Sequence, residues 1–228
     1  MFIGHFAVAL AAKREAPRAS LGWLFTAAQL PDLLWPVFLL LGWEEVRIAP
    51  GDTAFTPLAF THYPWSHSLL MVGVWGALLG ALYFSRSRDR RGALVVAALV
   101  VSHWVLDAVT HRADLPLAPG DDGRRVGFGL WNSVAATLGV ELLLSGVALA
   151  VYLRATRAND RTGRLALLAL VATLLVIYVG NVFGPPPPGV TAIAVVTLSM
   201  WLLVAWGGWV DAHRAPVASH REERAARA

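Results

Sequence analysis

The sequence predicts an all-α membrane protein, a polytopic transmembrane helical bundle with about six spans and a half-inserted helix at its N-terminus. The chain has 228 residues, of which 57% are hydrophobic and 15% charged, and its mean hydropathy is +0.57. Soluble domains are closer to half apolar and a quarter charged. Long apolar stretches alternate with short arginine-rich ones. This composition and its alternation indicate a chain whose solvent is the lipid bilayer.

Five apolar stretches read directly as spans: residues 65–84, 92–110, 130–153, 165–183 and 190–210. About 20 apolar residues cross a hydrocarbon core of ~30 Å. A sixth stretch, residues 21–41, is long enough but contains Gln29, Pro31 and Asp32. The first apolar run, residues 2–12, covers only about half of the bilayer. We expect it to form a half-inserted or interfacial helix that doubles back at residues 13–18.

The basic residues predict the orientation of these spans. They cluster in four segments: residues 13–18, 86–91, 154–164 and 214–227. With six spans all four segments fall on one side, which the positive-inside rule predicts to be the cytoplasm. We therefore expect a multi-pass inner-membrane protein with a single membrane domain over residues 1–213. A basic cytoplasmic tail over residues 214–228 is expected to follow it.

The net charge of +4 comes almost entirely from arginine, because Lys13 is the only lysine. Since the arginines lie in short loops, we expect them to contact an anionic inner leaflet. Nucleic acid is therefore not an expected partner. The expected partner is the lipid bilayer itself. The chain contains no cysteine, which excludes disulfides and thiolate metal sites.

Ionisable side chains interrupt the apolar stretches mainly in the first half of the chain, at His5, Asp32, His67, His103 and Asp107. Such groups are costly inside a membrane and mark candidate functional sites. Counting about 1.5 Å per residue from the cytoplasmic end of each helix puts His103, Asp107 and Asp32 at depths of ~16, ~22 and ~18 Å. We therefore expect one polar layer between the midplane and the outer third of the membrane.

The spacing within this layer suits a metal ion. Residues 103, 107 and 111 are four apart, so they are expected on one helix face. Imidazole nitrogen and carboxylate oxygen ligands, without thiolates, favour zinc first and then manganese or iron. Such an ion lowers the pKa of water enough to supply hydroxide near neutral pH. The candidate metal ligands are Asp32, His67, His103, Asp107, His5 and His111, and the candidate catalytic carboxylates are Asp32 and Asp107.

Several of these residues also have a structural explanation. A lone intramembrane histidine such as His5 can hydrogen-bond across helices. His62, in the predicted outer loop, can be solvated, and Glu141 can be a structural hydrogen-bonding group, a proton relay or a second base. His213 and His220 are expected to be solvated residues of the tail. Four costly groups at a similar depth nevertheless favour a site over a set of unrelated packing contacts.

At these residues the chain resembles a family of membrane-bound metal-dependent hydrolases that includes a LexA-regulated bacterial inner-membrane protein. The matching motifs are His5 in GHFAVAL, Asp32 in AAQLPDLLWP, His62 and His67 in HYPWSHSLL, and His103 and Asp107 in SHWVLDAVTH. The resemblance covers residues 1–116, whereas the spans within residues 130–210 match no motif and are expected to be scaffold. Tyr63 stands where the family often has arginine. Arg112 is the candidate replacement for contacting an anionic substrate, together with His62.

The family is in turn distantly similar to zinc-dependent phospholipase C and P1-type nucleases. This similarity implies hydrolysis of an ester or phosphoester, such as the headgroup of a phospholipid. Two other functions stay open: a metal-ion or proton transporter that uses the same residues, and a non-catalytic membrane protein with a structural polar cluster. The apolar sequence of residues 92–101 speaks against a polar pathway that continues to the cytoplasmic face.

Overall fold

The computed structural model describes residues 1–120 and 124–217. About 67% of it is helical, and the described residues include six helices long and apolar enough to cross a membrane. The all-α polytopic bundle is therefore confirmed. The helices are α1 (Ile3–Ala12), α2 (Leu21–Leu40), α3 (Pro64–His67), α4 (Leu69–Ser87), α5 (Arg90–Thr110), α6 (Val134–Ala155), α7 (Arg161–Phe183), α8 (Val190–Leu198) and α9 (Met200–Ala212). The sixth span consists of α8 and α9 together.

The starts of five helices follow from capping residues. The side chains of Ser20, Ser68, Asp89, Ser133 and Asp160 each accept a hydrogen bond from the backbone N–H three residues later. Such caps satisfy N–H groups that have no partner inside the helix. Ser68 is extended, with φ −71° and ψ 146°, so the predicted span over residues 65–84 is divided there into α3 and α4.

The first helix, α1, is a core helix rather than an interfacial one. Phe6 and Ala9 are almost completely buried, and α1 packs against α2, α5 and α6. An interfacial helix keeps a polar face in water, and α1 has an apolar residue on nearly every side. Glu141 on α6 fixes its N-terminal end, because Oε2 accepts hydrogen bonds from the backbone N–H groups of Phe2 (3.0 Å) and Gly4 (3.1 Å). This contact is the structural role that the sequence left open for Glu141.

Within residues 1–120 and 124–217, six short strands form three antiparallel pairs in the loops. They are β1 (Glu45–Ile48), β2 (Leu58–His62), β3 (Leu115–Pro116), β4 (Arg125–Val126), β5 (Thr156–Ala158) and β6 (Arg214–Pro216). The pairs β1–β2 and β3–β4 lie in loops that follow α2 and α5. The β5–β6 pair joins the loop after α6 to the segment after α9.

The basic segments meet at one end of the bundle. Lys13 Nζ lies 2.7 Å from Asp211 Oδ2, and an Arg91 nitrogen lies 2.5 Å from Glu15 Oε2. Together with the β5–β6 pair, these contacts place the segments before α2, before α5, after α6 and after α9 side by side. This arrangement agrees with the predicted clustering of basic loops. That this end faces the cytoplasm stays a prediction.

The fold continues past the predicted domain boundary at residue 213. Arg214 is buried, and its guanidinium donates hydrogen bonds to Thr156 Oγ1, Thr156 O and Gly163 O. His213 is also engaged, since Nδ1 lies 2.8 Å from Asp160 Oδ2. Residues 214–216 thus belong to the bundle because their backbone is paired with β5. The rest of the predicted tail, residues 218–228 with His220, lies outside the described residues.

Helices α4 and α5 approach each other closely at two glycines of α4. A Cβ atom on Gly76 of α4 would lie 2.9 Å from the carbonyl oxygen of Ala97 on α5, and one on Gly80 would lie 3.0 Å from that of Ala93. Small residues four apart allow such close approach of membrane helices. The contact joins the middle of α4 to the first half of α5.

Candidate metal centre

Polar side chains from four helices converge between the ends of α3 and α5. They are His5 from α1, Asp32 from α2, His67 from α3, and His103 and Asp107 from α5. Two overlapping groups, His5–His103–Asp107 and Asp32–His67–His103, have candidate ligand atoms that all lie within 4.8 Å of one another. The structure thus brings together five of the six residues named as candidate ligands.

The two nitrogens of His103 have different surroundings. Nδ1 lies 2.7 Å from the carbonyl oxygen of Ala28, and a carbonyl can only accept, so Nδ1 carries the proton. A neutral ring then has a lone pair on Nε2. This atom is buried, has no hydrogen-bond partner among the described residues, and lies 3.1 Å from Asp107 Oδ2 and 3.8 Å from Asp32 Oδ1. The two carboxylate oxygens favour a positive charge at Nε2, which either a proton on the ring or a bound cation would supply.

His67 approaches the same two carboxylates. Its Nε2 lies 3.3 Å from Asp32 Oδ1 and 3.9 Å from Asp107 Oδ2. Ligand atoms at ~2.0–2.1 Å from a tetrahedral zinc ion are separated by roughly 3.3 Å. The observed separations therefore suit a nitrogen–oxygen site for a small divalent ion, and the residues present fit the metal that the sequence suggested.

The two oxygens of Asp107 face different partners. Oδ1 lies 3.1 Å from His5 Nε2 and 2.5 Å from the backbone nitrogen of Met1. Oδ2 faces His103 and His67. Asp107 therefore joins α1 to the ligand cluster, and His5 contacts the cluster mainly through this carboxylate and through its ring contact with His103.

The exposure of the two carboxylates differs. The Asp32 side chain is 25% exposed, whereas that of Asp107 is 3% exposed and the three histidine rings are buried. Asp32 lies in the turn of α2 that contains Pro31, which has no backbone N–H to donate. The cluster is therefore open on the side of α2, at Asp32, and closed on the side of α1.

His111 is not brought to the cluster, although it is four residues beyond Asp107. Helix α5 ends at Thr110, and His111 is its extended C-cap, with φ −64° and ψ 150°. The helical periodicity that predicted a shared face therefore stops one residue too early. His111 Nδ1 lies 2.9 Å from Asp114 Oδ1, and burial lowers the pKa of the ring.

The two candidate substrate contacts also lie outside the cluster. His62 is exposed at the end of β2. Arg112 is held by acidic partners, with Nη1 at 2.5 Å from Asp52 Oδ1 and Nε at 3.3 Å from Asp114 Oδ2. Its charge is thus already compensated within the loop.

Tyr63, at the position where the resembling family often has arginine, is part of the same loop network. Its hydroxyl donates a hydrogen bond to Asp114 Oδ1 at 2.7 Å. Burial, together with the nearby Asp114 carboxylate, raises the pKa of Tyr63 well above its ordinary value. Tyr63 is therefore a neutral hydrogen-bond donor rather than a positive charge.

Two residues beside His67 were not identified from the sequence. Ser66 Oγ lies 2.6 Å from His67 Nδ1 and also 2.6 Å from Glu44 Oε2. Burial raises the pKa of Glu44, whereas the neighbouring His67 and the hydrogen bonds from Ser66 and Trp65 act in the opposite direction. No sequence signal separates Glu44, which is buried, from the adjacent Glu45, which is exposed.

Comparison with known proteins identifies one related family. A family model described as YdjM inner membrane protein matches residues 1–183. The match extends beyond the motifs of residues 1–116 and includes every residue of the cluster and the first five spans. The chain matches no curated protein and no solved structure.

Proposed function

We propose that this chain, which belongs to the YdjM inner membrane protein family, is a metal-dependent hydrolase embedded in the inner membrane. The proposed substrate is an ester or phosphoester, such as a lipid headgroup. The observation that carries the proposal is the buried Nε2 of His103, which faces the carboxylates of Asp32 and Asp107 without a hydrogen-bond partner among the described residues.

The residues that would hold the ion are Asp32, His67, His103 and Asp107. His5 supports them through the second oxygen of Asp107. The donor set favours zinc, with manganese or iron as alternatives. A divalent ion there supplies a Lewis acid that polarises an ester or phosphoryl oxygen and acidifies water.

Three residues of the cluster have distinct proposed roles. His103 is fixed by Ala28, so that its lone pair is oriented before any ligand arrives. Asp107 is buried and supplies negative charge at the centre of the cluster. Asp32, whose side chain is partly exposed, is placed to accept a proton from the attacking water on the open side.

The position of the cluster supports a substrate at the membrane surface. His67 lies two residues before the start of α4, and α4 begins at the end of the bundle opposite to the basic segments. If the basic end faces the cytoplasm, the cluster faces the outer leaflet. A lipid-linked ester would approach Asp32 from that side.

The first test is the metal content of the detergent-purified protein. We expect near-stoichiometric zinc, manganese or iron in the wild type by elemental analysis, and loss of the metal in His103→Ala. His62→Ala is the matched control, because it removes an exposed histidine outside the cluster and should retain the metal.

The second test is turnover. The metal-loaded wild type should hydrolyse a phospholipid in mixed micelles or a chromogenic phosphodiester, and chelation should abolish the activity until metal is restored. Equal activity of the metal-free and metal-loaded proteins would contradict the proposal. Metal binding without turnover, combined with metal or proton flux in proteoliposomes that Asp107→Asn abolishes, would indicate a transporter instead.

A further inference from the structure

Glu44 occupies an unusual place for a loop carboxylate. It follows α2 by a few residues, after a turn in which Gly42 has φ +70°. The backbone N–H groups of Trp43 and Glu44 donate to the carbonyl oxygen of Phe38, which folds the turn back on the helix. As a result Glu44 is only 3% exposed and points towards α3.

Three donors converge on this carboxylate. The backbone N–H groups of Trp65 and Ser66 each donate to Oε1 at 2.8 Å, and Ser66 Oγ lies 2.6 Å from Oε2. The N-cap of α3, Tyr63, provides no side-chain cap of its own. Glu44 therefore satisfies backbone groups of α3 that would otherwise be unpaired, and it holds the Ser66 hydroxyl in place.

The hydroxyl proton of Ser66 determines which ring nitrogen of His67 carries a proton. Oε1 of Glu44 accepts two backbone hydrogen bonds, which favours the ionised carboxylate. An ionised carboxylate can only accept, so the Ser66 hydroxyl donates to Glu44. Ser66 Oγ must then accept from the other atom in reach, His67 Nδ1, at 2.6 Å. The proton of a neutral His67 ring is thereby held on Nδ1, and the lone pair is on Nε2, which faces Asp32 and Asp107.

We propose that Glu44 and Ser66 form a positioning relay that keeps His67 in the tautomer required for metal binding. This inference rests on the proposed metal site and assigns a role to two residues outside it. The relay fixes the proton of His67 on Nδ1, as the Ala28 carbonyl fixes that of His103. Partners of this kind orient metal-binding histidines, and their loss typically lowers metal affinity by about 10- to 100-fold.

The test compares the zinc affinity of purified variants by competition with a chelator. In Glu44→Gln the amide oxygen can still accept from Trp65 and Ser66, but the amide N–H donates to Ser66 Oγ. The Ser66 proton then turns to His67 Nδ1 and moves the ring proton to Nε2. We expect a fall in zinc affinity of about 10- to 100-fold, with little change in thermal stability. Glu45→Gln is the matched control and should bind zinc like the wild type.

Two substitutions of Ser66 distinguish a positioning role of its hydroxyl from a packing role of its side chain. Ser66→Ala removes the hydroxyl and should weaken zinc binding, whereas Ser66→Thr retains it and should restore affinity close to that of the wild type. Wild-type affinity in both Glu44→Gln and Ser66→Ala would overturn the relay. Loss of affinity in Ser66→Thr equal to that in Ser66→Ala would also overturn it.

A direct readout does not depend on bound metal. Nitrogen NMR of histidine-labelled, metal-free protein distinguishes the two tautomers of His67, with His67→Ala used for assignment. We expect the Nδ1-protonated form in the wild type and the Nε2-protonated form in Glu44→Gln. An Nε2-protonated wild type would overturn the relay. If the wild type binds no zinc but shows the expected tautomers, the proposed function fails and the relay stands.

Discussion

The imidazole rings of His5 and His103 are stacked, with their centroids 3.7 Å apart and their planes within 8° of parallel. His5 Nε2 also lies 3.1 Å from Asp107 Oδ1. Two protonated rings at this separation would repel each other, so at most one of them carries a charge. The stacked pair fastens α1 to α5 and forms the closed side of the polar cluster.

We therefore predict that His5→Ala destabilises the protein by roughly 2–4 kcal/mol, because it leaves a cavity and removes a hydrogen bond from a buried carboxylate. Thermal unfolding in detergent measures the change. His62→Ala is the control, since an exposed substitution is expected to change stability by less than about 0.5 kcal/mol. Equal melting temperatures for the two variants would contradict the packing role of His5.

A second prediction concerns the contact between α4 and α5. Gly76→Val should destabilise the bundle by about 1–3 kcal/mol, because the new side chain meets the Ala97 carbonyl. Gly73→Val, on the same helix, is the matched control, because a Cβ there meets nothing within 4 Å. Unfolding curves of both variants test the prediction. A similar effect of both would show that helix propensity rather than packing decides the result.

The third prediction is a pH dependence of stability that arises from His111. Burial lowers the pKa of His111 in the folded state below its ordinary value of 6.5. The unfolded chain therefore binds the proton first, and stability falls as the pH drops below about 6.5, by at most ~1.4 kcal/mol per pH unit. We expect His111→Gln to flatten the stability profile between about pH 7 and pH 5. An unchanged slope in His111→Gln would contradict the prediction.

The fourth prediction tests the orientation, and the absence of natural cysteines makes it direct. Asn159→Cys places a thiol at the basic end, and Phe128→Cys places one at the opposite end, where Phe128 is 80% exposed. In intact cells whose outer membrane has been permeabilised, a membrane-impermeant maleimide should label Phe128→Cys only. Inverted vesicles should give the reverse pattern. Labelling of Asn159→Cys from outside would reverse the predicted topology.

The sequence was sufficient for the number of spans, because hydropathy and arginine clustering report directly on the bilayer. The sequence predicted the helix ends less accurately, because the capping residues Ser68 and Ser133 shift the starts of their helices by a few residues. The sequence could not show that α1 is buried within the bundle, because lipid and neighbouring helices are equally apolar. An apolar helix therefore looks the same whether it is covered by protein or by lipid.

The candidate site was also predicted only in part from the sequence. Depth counting placed Asp32, His103 and Asp107 in one layer, and the structure brings them together with His67. His111 was expected on the same face, but that expectation required α5 to continue by one more residue. Glu44 and Ser66 were missed because their relationship exists only when the loop after α2 folds onto α3. Contacts of this kind depend on loop conformation rather than on periodicity.

The burial of α1 has a consequence for the order of assembly during synthesis. Glu141, which anchors the backbone of Phe2 and Gly4, is made 139 and 137 residues after them. Helix α1 therefore waits for the fourth span before it can take its final place. His5 lies on α1, so its contact with Asp107 forms only once α1 has taken this place. The cluster is therefore completed late, after most of the chain has entered the membrane.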